Sequence, residues 1–361
     1  MISVYRLTTT SGLEDIAARE ARELLPSFVR ARSRPLGARG HVAVTIRDTP
    51  GVRTDTLDRL RSLSTIYCVV EHRYALEALR PTIDWIRTSV IPDRFPEVGR
   101  VATFRVTCER TGSHSFTHPE VERAVGGVLV RRYGTAVSLE QPQYVVRVDI
   151  TDEVLFFGVQ RSADDLGKRY HWRYRPRVTL RPPVAAAMLR MATHDFEETD
   201  APGTILDPFC GSGTIALEAA RLYPGATVLA GDWDEEAVRG TIENAHAANL
   251  VVHAAQQDAR AMEGVPGASI DLIVTNPPFG VRLAPGMHFR SFYQAVLLEL
   301  HRVLKPTGRI CILAGKRRID FTRALADIDG LVRTHVRVFD LGGVLPAAFI
   351  LAKRGTAGPA R

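Results

Sequence analysis

Asp207-Pro208-Phe209-Cys210-Gly211-Ser212-Gly213-Thr214 is the stretch from which the fold of this 361-residue chain is read. Thr204-Ile205-Leu206 ahead of it is an apolar run of strand type, and Ile215, Leu217, Ala219 and Leu222 behind it recur at helical spacing. Glycines between a strand and a helix let a ligand approach the backbone closely. The alternation then continues. Thr227 to Gly231 reads as a second strand, Glu235 to Ala248 as a helix, and Val251 to Ala255 as a third strand. Ile270 to Thr275 reads as a fourth strand, followed by a helix carrying Phe292, Val296, Leu297, Leu300 and Val303. Lys305-Pro306-Thr307-Gly308 reads as a turn into the strand Arg309 to Leu313, and His335–Val338 with Ala348–Leu351 as a hairpin. This order predicts an α/β doubly wound sheet, mostly parallel, with an antiparallel end.

Three aspartates stand at successive strand ends. Asp207 ends the first strand, Asp232 ends the second and Asp258 follows the third. Any one alone would read as a turn or cap residue. Together they face the crevice at the carboxyl ends of the strands, where such folds bind ligands. A carboxylate after the second strand suits a ribose diol, and a polar group after the third suits an adenine amine. A nicotinamide dinucleotide is one candidate occupant, because Gly211-x-Gly213-x-x-Ala216 matches its looser fingerprint. Asp207 would repel its pyrophosphate, however. A cationic sulfonium donor with an α-ammonium group tolerates that carboxylate.

The fourth strand runs into Asn276-Pro277-Pro278-Phe279-Gly280. An Asn, two prolines and an aromatic at a strand end form a rigid lip, which has no role in hydride transfer. The Asn276 side-chain oxygen and the Pro277 carbonyl can accept the two N–H groups of an exocyclic amine and draw its nitrogen toward tetrahedral geometry. Phe279 can stack on a flipped base. On its own residues the lip serves adenine, guanine and a glutamine side chain equally.

The first half of the chain has a different texture. Strand-like runs at 41–46, 65–70, 102–107, 144–148 and 154–159 alternate with helical patterns near Ile83 to Ile91 and Pro119 to Tyr133, which suggests small α+β layers. Ser11 and Glu14 have capping-box spacing at the start of a first helix. The net charge of +7 lies wholly in this half: residues 1–180 carry 28 Lys and Arg against 21 Asp and Glu, and residues 181–361 carry 19 of each. Such a split suggests a polyanion-binding module joined to a catalytic one. Residues 161–181 form a connector in which Lys168, Arg169, Arg173, Arg175 and Arg177 interleave with Tyr170, His171, Trp172 and Tyr174. Cations among flat rings suit RNA phosphates and unpaired bases; the rings equally suit packing between domains. Four scattered cysteines without a C-x-x-C pair argue against a zinc site or a disulfide framework and predict a reducing cytoplasm. No apolar run approaches the roughly 20 residues that span a bilayer. The N-terminus lacks the pattern of a signal peptide.

Asp207–Thr214 together with Asn276–Gly280 resembles the Rossmann-fold methyltransferases that use S-adenosyl-L-methionine, and within them the RNA guanine-N2 methyltransferases that carry a THUMP domain. Ser11-Gly12-Leu13-Glu14-Asp15-Ile16 is similar to the opening of such proteins, and Leu166-Gly167-Lys168-Arg169-Tyr170 to the segment between their THUMP and catalytic domains. Thr179-Leu180-Arg181-Pro182-Pro183 departs from the smoother apolar helix start that is usual there. The resemblance implies a ferredoxin-like subdomain and a THUMP domain over residues 1–160, a linker over 161–181, and a class I methyltransferase domain over 182–361. That domain would have a seven-stranded sheet with an antiparallel final strand. It implies donor contacts from Asp207, Phe209, Gly211, Gly213, Thr214, Asp232, Asp258 and Asn276, and a target-base lip from Asn276, Pro277 and Phe279. It also implies a cytoplasmic, metal-free monomer that methylates N2 of a tRNA guanine in the acceptor stem, such as guanine 6. Ribosomal RNA guanine, adenine N6 and a glutamine side chain remain open targets for the same lip, as does a non-enzymatic RNA-binding module.

Overall fold

A computed structural model describes residues 2–25, 27–47, 56, 59–74, 81–162, 165–177, 179–193, 201–278 and 288–355. The chain forms two compact units, one of Met1–Thr9 with Ala17–Leu166, the other of Thr10–Ile16 with Gly167–Arg361.

The first unit contains β1 (Ile2–Thr8), α1 (Glu14–Leu24) from Ala17 onward, β2 (Phe28–Ser33), β3 (His41–Arg47), β4 (Thr65–Tyr74) and α2 (Ile83–Ser89). It continues with β5 (Thr103–Thr111), α3 (His118–Tyr133), β6 (Ala136–Val137), β7 (Tyr144–Thr151) and β8 (Val154–Gln160). The strands form one eight-stranded sheet in the order β2-β3-β1-β4-β8-β7-β5-β6. Two cores lie along it. Leu7, Val42, Val44 and Ile46 pack with Ala17 and Ala21 of α1. Phe104, Val106, Val148 and Phe157 pack with Ile86 of α2 and with Val121, Val125 and Leu129 of α3. A second group of sheet residues carries buried charge. Tyr67 donates to Asp149, Arg147 Nε donates to Asp149 Oδ1 at 2.7 Å, and the Arg6 guanidinium lies 4.0 Å from the centre of the Phe156 ring.

α3 starts at a true capping box, in which Glu120 Oε2 accepts from the Thr117 amide and hydroxyl, each at 2.7 Å. α1 does not start as its sequence predicts. Ser11 is not its cap, because Gly12 takes φ +102 and turns the chain first. Glu14 Oε2 instead accepts from the Gly12 amide at 3.0 Å. A Cβ on Gly12 would stand 2.8 Å from Phe339, so only glycine fits.

The second unit contains α4 (Pro182–Ala192), β9 (Thr204–Asp207), α5 (Thr214–Leu222), β10 (Thr227–Asp232), α6 (Glu235–Ala247), β11 (His253–Gln256) and β12 (Ile270–Thr275). It closes with α7 (Phe289–Val303), β13 (Leu304–Ala314), α8 (Arg318–Ala326), β14 (Leu331–Val338) and β15 (Ala347–Lys353). The seven-stranded sheet runs β11-β10-β9-β12-β13-β15-β14. Its first five strands pair in parallel. β15 is antiparallel to both β13 and β14, which places the final strand inside the sheet. Alternate strand residues face opposite layers. Leu206, Ile273, Ile310 and Ile312 meet α7 and α8, while Ile205, Leu272, Val274 and Cys311 meet α4 and α5. α4 is buried at every residue but Arg190. Its Val184, Met188 and Leu189 each add roughly 1.5–3 kcal/mol by leaving water. Pro182 and Pro183 open it at positions whose amides have no intrahelical partner. The expected turn at Lys305–Gly308 is part of β13, whose register against β12 slips between Ile270 and Leu272.

Candidate methyl-donor site and base lip

Asp207 ends β9 and is only 2% exposed. Its Oδ1 accepts from Thr275 Oγ1 at 2.7 Å and from the Phe209 amide at 3.2 Å. β9 and β12 are parallel neighbours, so the last residue of each reaches the same sheet end. Burial pushes the Asp207 carboxyl up to about 7; the two hydrogen bonds oppose that rise and the nearby Asp232 charge adds to it. Phe209 is half-buried and meets Phe292 edge-on, with ring centres 6.1 Å apart.

The loop after Asp207 turns on two glycines in the left-handed region, Gly211 at φ +54 and Gly213 at φ +81. Gly213 can carry no side chain, because a Cβ would lie 2.9 Å from Thr241 Cγ2. Thr214 opens α5, but its hydroxyl is buried and shares a 3.1 Å hydrogen bond with Ser212 Oγ. The Gly211 amide donates to Asp232 Oδ2 at 2.9 Å, and the Asp234 amide donates to Asp232 Oδ1 at 3.1 Å. Burial raises the Asp232 pKa and these amides hold it back. Asp207, the glycine loop and Asp232 are thus brought together at the carboxyl ends of β9 and β10. Asp258, after β11, pairs with Arg260, whose Nε lies 3.0 Å from both of its oxygens and lowers its pKa.

Asn276 directly follows Thr275. Its Oδ1 is buried and has no hydrogen-bond partner among the described residues. A buried acceptor left unmade costs about 1–3 kcal/mol, so a hydrogen-bond donor is what this atom lacks among the described residues. Pro277 behind it is buried and Pro278 half-buried. Phe279, expected to stack on the base, lies outside the described residues.

The connector places its expected RNA contacts unequally. Lys168, Arg173, Arg175 and Arg177 are exposed, whereas Trp172, Tyr174 and Pro176 between them are half-buried. Arg169 turns inward, with Nε 3.9 Å from the buried Glu218 carboxylate. Tyr170 packs on Leu217 and Ala245 and meets Trp172 edge-on at 5.4 Å. A cleft of about 550 Å³ opens beside Tyr170, His171, Trp172, Arg173 and Arg175. The sequence reading missed a groove in the first unit, of about 390 Å³, between α2 and α3, with Arg87, Arg123 and Arg131 on its walls. It also missed Thr241 and Asn244, which hold the glycine loop. Thr241 Oγ1 donates to Gly211 O at 3.1 Å, and Asn244 Nδ2 donates to Ser212 O at 3.0 Å. Their spacing of three on one helix was the available signal. Among the described residues no cluster of His, Cys, Asp and Glu could hold a metal ion, and no helix is long and apolar enough to cross a membrane.

Residues 171–347 match the family model of the RMKL-like methyltransferase domain, and residues 88–160 match the THUMP domain. The tRNA (guanine(6)-N2)-methyltransferase of Thermus thermophilus is 40% identical over 263 residues, 72% of this chain and 75% of that protein. The protein of the same name from Archaeoglobus fulgidus is 28% identical over 379 residues, 94% of this chain and 90% of its own length. Among solved structures, TrmN from Thermus thermophilus superposes with a TM-score of 0.79 at 33% identity, covering 97% of this chain and 99% of that one. Alternating strands, glycine loop and lip thus meet an independent likeness along most of the sequence, and the chain belongs to the THUMP-domain-containing RNA guanine-N2 methyltransferase family.

Proposed function

We propose that the chain transfers a methyl group from S-adenosylmethionine to the exocyclic N2 of guanine 6 in the tRNA acceptor stem, giving N2-methylguanosine. The observation that carries the reading is the buried Asn276 Oδ1, which has no partner among the described residues, one residue beyond the hydroxyl that grips Asp207. The activity named for the two tRNA-modifying relatives supports guanine over adenine.

The residues fit a cationic nucleoside donor. Asp207 is a buried carboxylate whose hydrogen-bond donors, the Thr275 hydroxyl and the Phe209 amide, are both neutral, and an α-ammonium group supplies a cation. Asp232 presents a carboxylate to a ribose diol, with its loop-facing oxygen already holding Gly211 in place. Gly211 and Gly213 leave room for close backbone approach. Such a donor supplies an electrophilic methyl on sulfur. Asn276 Oδ1 accepts one N–H of the guanine amine and the Pro277 carbonyl the other. Both contacts localise a lone pair that the purine ring otherwise delocalises. An amide is not a base of useful strength, so the amine proton leaves after transfer. Catalysis then rests on positioning and preorganised dipoles.

In this reading residues 1–160 grip RNA, the exposed cations of 161–181 extend that grip, and 182–361 carry out the transfer. The enzyme acts as a cytoplasmic monomer; four scattered cysteines with no C-x-x-C pair suit a reducing compartment. The test is to incubate tRNA and ribosomal RNA pools with radiolabelled donor, digest to nucleosides and map the label. Label at N2 of guanine 6 in tRNA is expected. Label in ribosomal RNA, in an adenine or in protein would overturn the assignment.

A further inference from the structure

Asn244 joins two segments that the sequence separates. It is 2% exposed, on the inner face of α6. Its Oδ1 accepts from the backbone amides of Arg173 at 2.7 Å and Tyr174 at 3.1 Å. Its Nδ2 donates to Tyr174 O at 2.7 Å and to Ser212 O at 3.0 Å. The amide has no further capacity: two acceptor sites and two donors are all used. The amides on one side and the carbonyls on the other also fix which way it points.

The geometry around it is tight. A Cβ on Gly240, one turn earlier in α6, would fall 2.2 Å from the Tyr174 ring. Thr241 holds Gly211 O from the same helix. α6 is therefore a bracket with the arginine strap on it and the glycine loop beside it, and the Asn244 side chain bonds to both. Buried as it is, it has no water to replace a bond it gives up, and lifting the strap would pull it from Ser212 O.

We infer that Asn244 is a positioning residue that couples the RNA-contacting strap to the donor loop, so that occupancy of either tightens the other. This rests on the proposed function, which makes the strap an RNA contact. Coupling between two sites is reciprocal and commonly falls between about fivefold and 150-fold. With phosphates on Arg173 and Arg175, the strap is fixed, and through Asn244 the Ser212 carbonyl is fixed with it.

The experiment measures the Kd of S-adenosylhomocysteine by calorimetry on the full chain, with and without saturating unmodified tRNA. The wild type is expected to bind at least about fivefold tighter with tRNA present. Asn244→Asp keeps both acceptor contacts and loses both donors. Gly240→Ala displaces the Tyr174 ring, leaves every donor-loop contact in place and strengthens the helix. In either folded variant the tRNA-dependent ratio is expected to fall to about one, and in Gly240→Ala the Kd without tRNA is expected to stay within about twofold of wild type. A merely structural role would weaken donor binding equally in both conditions and keep the ratio. A ratio retained in every folded variant, or a wild-type ratio of one, overturns the inference. A wild type that binds neither ligand, or transfers no methyl to RNA, refutes the proposed function instead.

Discussion

Thr275 Oγ1 donates to Asp207 Oδ1 across 2.7 Å, and this bond ties the last residue of the lip strand to the last residue of the donor strand. Thr275 is fully buried, so no water can take over the bond. Replacing it by valine keeps the shape and removes the hydroxyl. A hydrogen bond to a charged group contributes about 1.5–3 kcal/mol. Thr275→Val is therefore expected to weaken S-adenosylhomocysteine binding by about tenfold or more, read by calorimetry. Unchanged affinity would mean that Asp207 is held by the Phe209 amide alone.

The acidity of Asp207 has a definite sign. Its folded pKa of about 7 stands above the ordinary 3.8, so the folded chain favours the protonated form. The destabilisation is absent below about pH 4, grows as pH rises through 7 and is then constant. Ionising a carboxyl moved that far costs on the order of 4 kcal/mol. Asp207→Asn keeps the acceptor oxygen and removes the charge. Its melting temperature without donor is expected to exceed that of the wild type at pH 8, and the gap to narrow at pH 5 and close only below about pH 4. Donor binding should move the opposite way, strengthening in the wild type as pH rises through 7 and staying weak and flat with pH in the variant. Equal melting curves at pH 8 would contradict the buried charge.

Asn276→Ala separates binding from transfer. The substitution removes a buried acceptor that has no partner among the described residues, so the variant is expected to melt at or slightly above the wild-type temperature. Losing one preorganised hydrogen bond to the reacting amine should lower kcat by about 10²-fold or more. S-adenosylhomocysteine affinity should hold within about threefold, well below the tenfold that 1.4 kcal/mol represents. Loss of donor binding in step with activity would move Asn276 out of the lip and into the donor pocket.

The second unit was legible because its parallel strands are buried on both faces and read as continuous apolar runs. Ile270–Thr275, the strand before the lip, shows this directly. β1 was hidden by Arg6, a cation buried over the Phe156 ring in the middle of the strand. β2 was hidden as an edge strand with mostly exposed residues. Asp207 and Asp232 were found because strand ends can be counted. Thr241, Asn244 and Thr275 were not, because their partners lie 30, 32 and 68 residues away and only tertiary packing brings them together. The Lys305–Gly308 turn was misread because Pro and Gly mark a register slip within a strand as readily as its boundary.

The arginines of the two units can be sorted by what each one touches. Arg173, Arg175 and Arg177 are exposed, and their side chains have no anionic partner among the described residues. Changing all three to glutamate should weaken tRNA binding and lower the slope of log K against log salt by about one for each phosphate released. Arg123→Ala with Arg131→Ala, on the walls of the groove between α2 and α3, should weaken tRNA binding in the same way and leave donor affinity unchanged. Arg169→Ala should behave differently. Its guanidinium stands 3.9 Å from a Glu218 carboxylate with 0% exposure. Removing the cation that stands beside a buried carboxylate costs stability. The variant is therefore expected to lose several degrees of melting temperature while its salt slope stays that of the wild type. A reduced slope with full stability would return Arg169 to the RNA-contacting set.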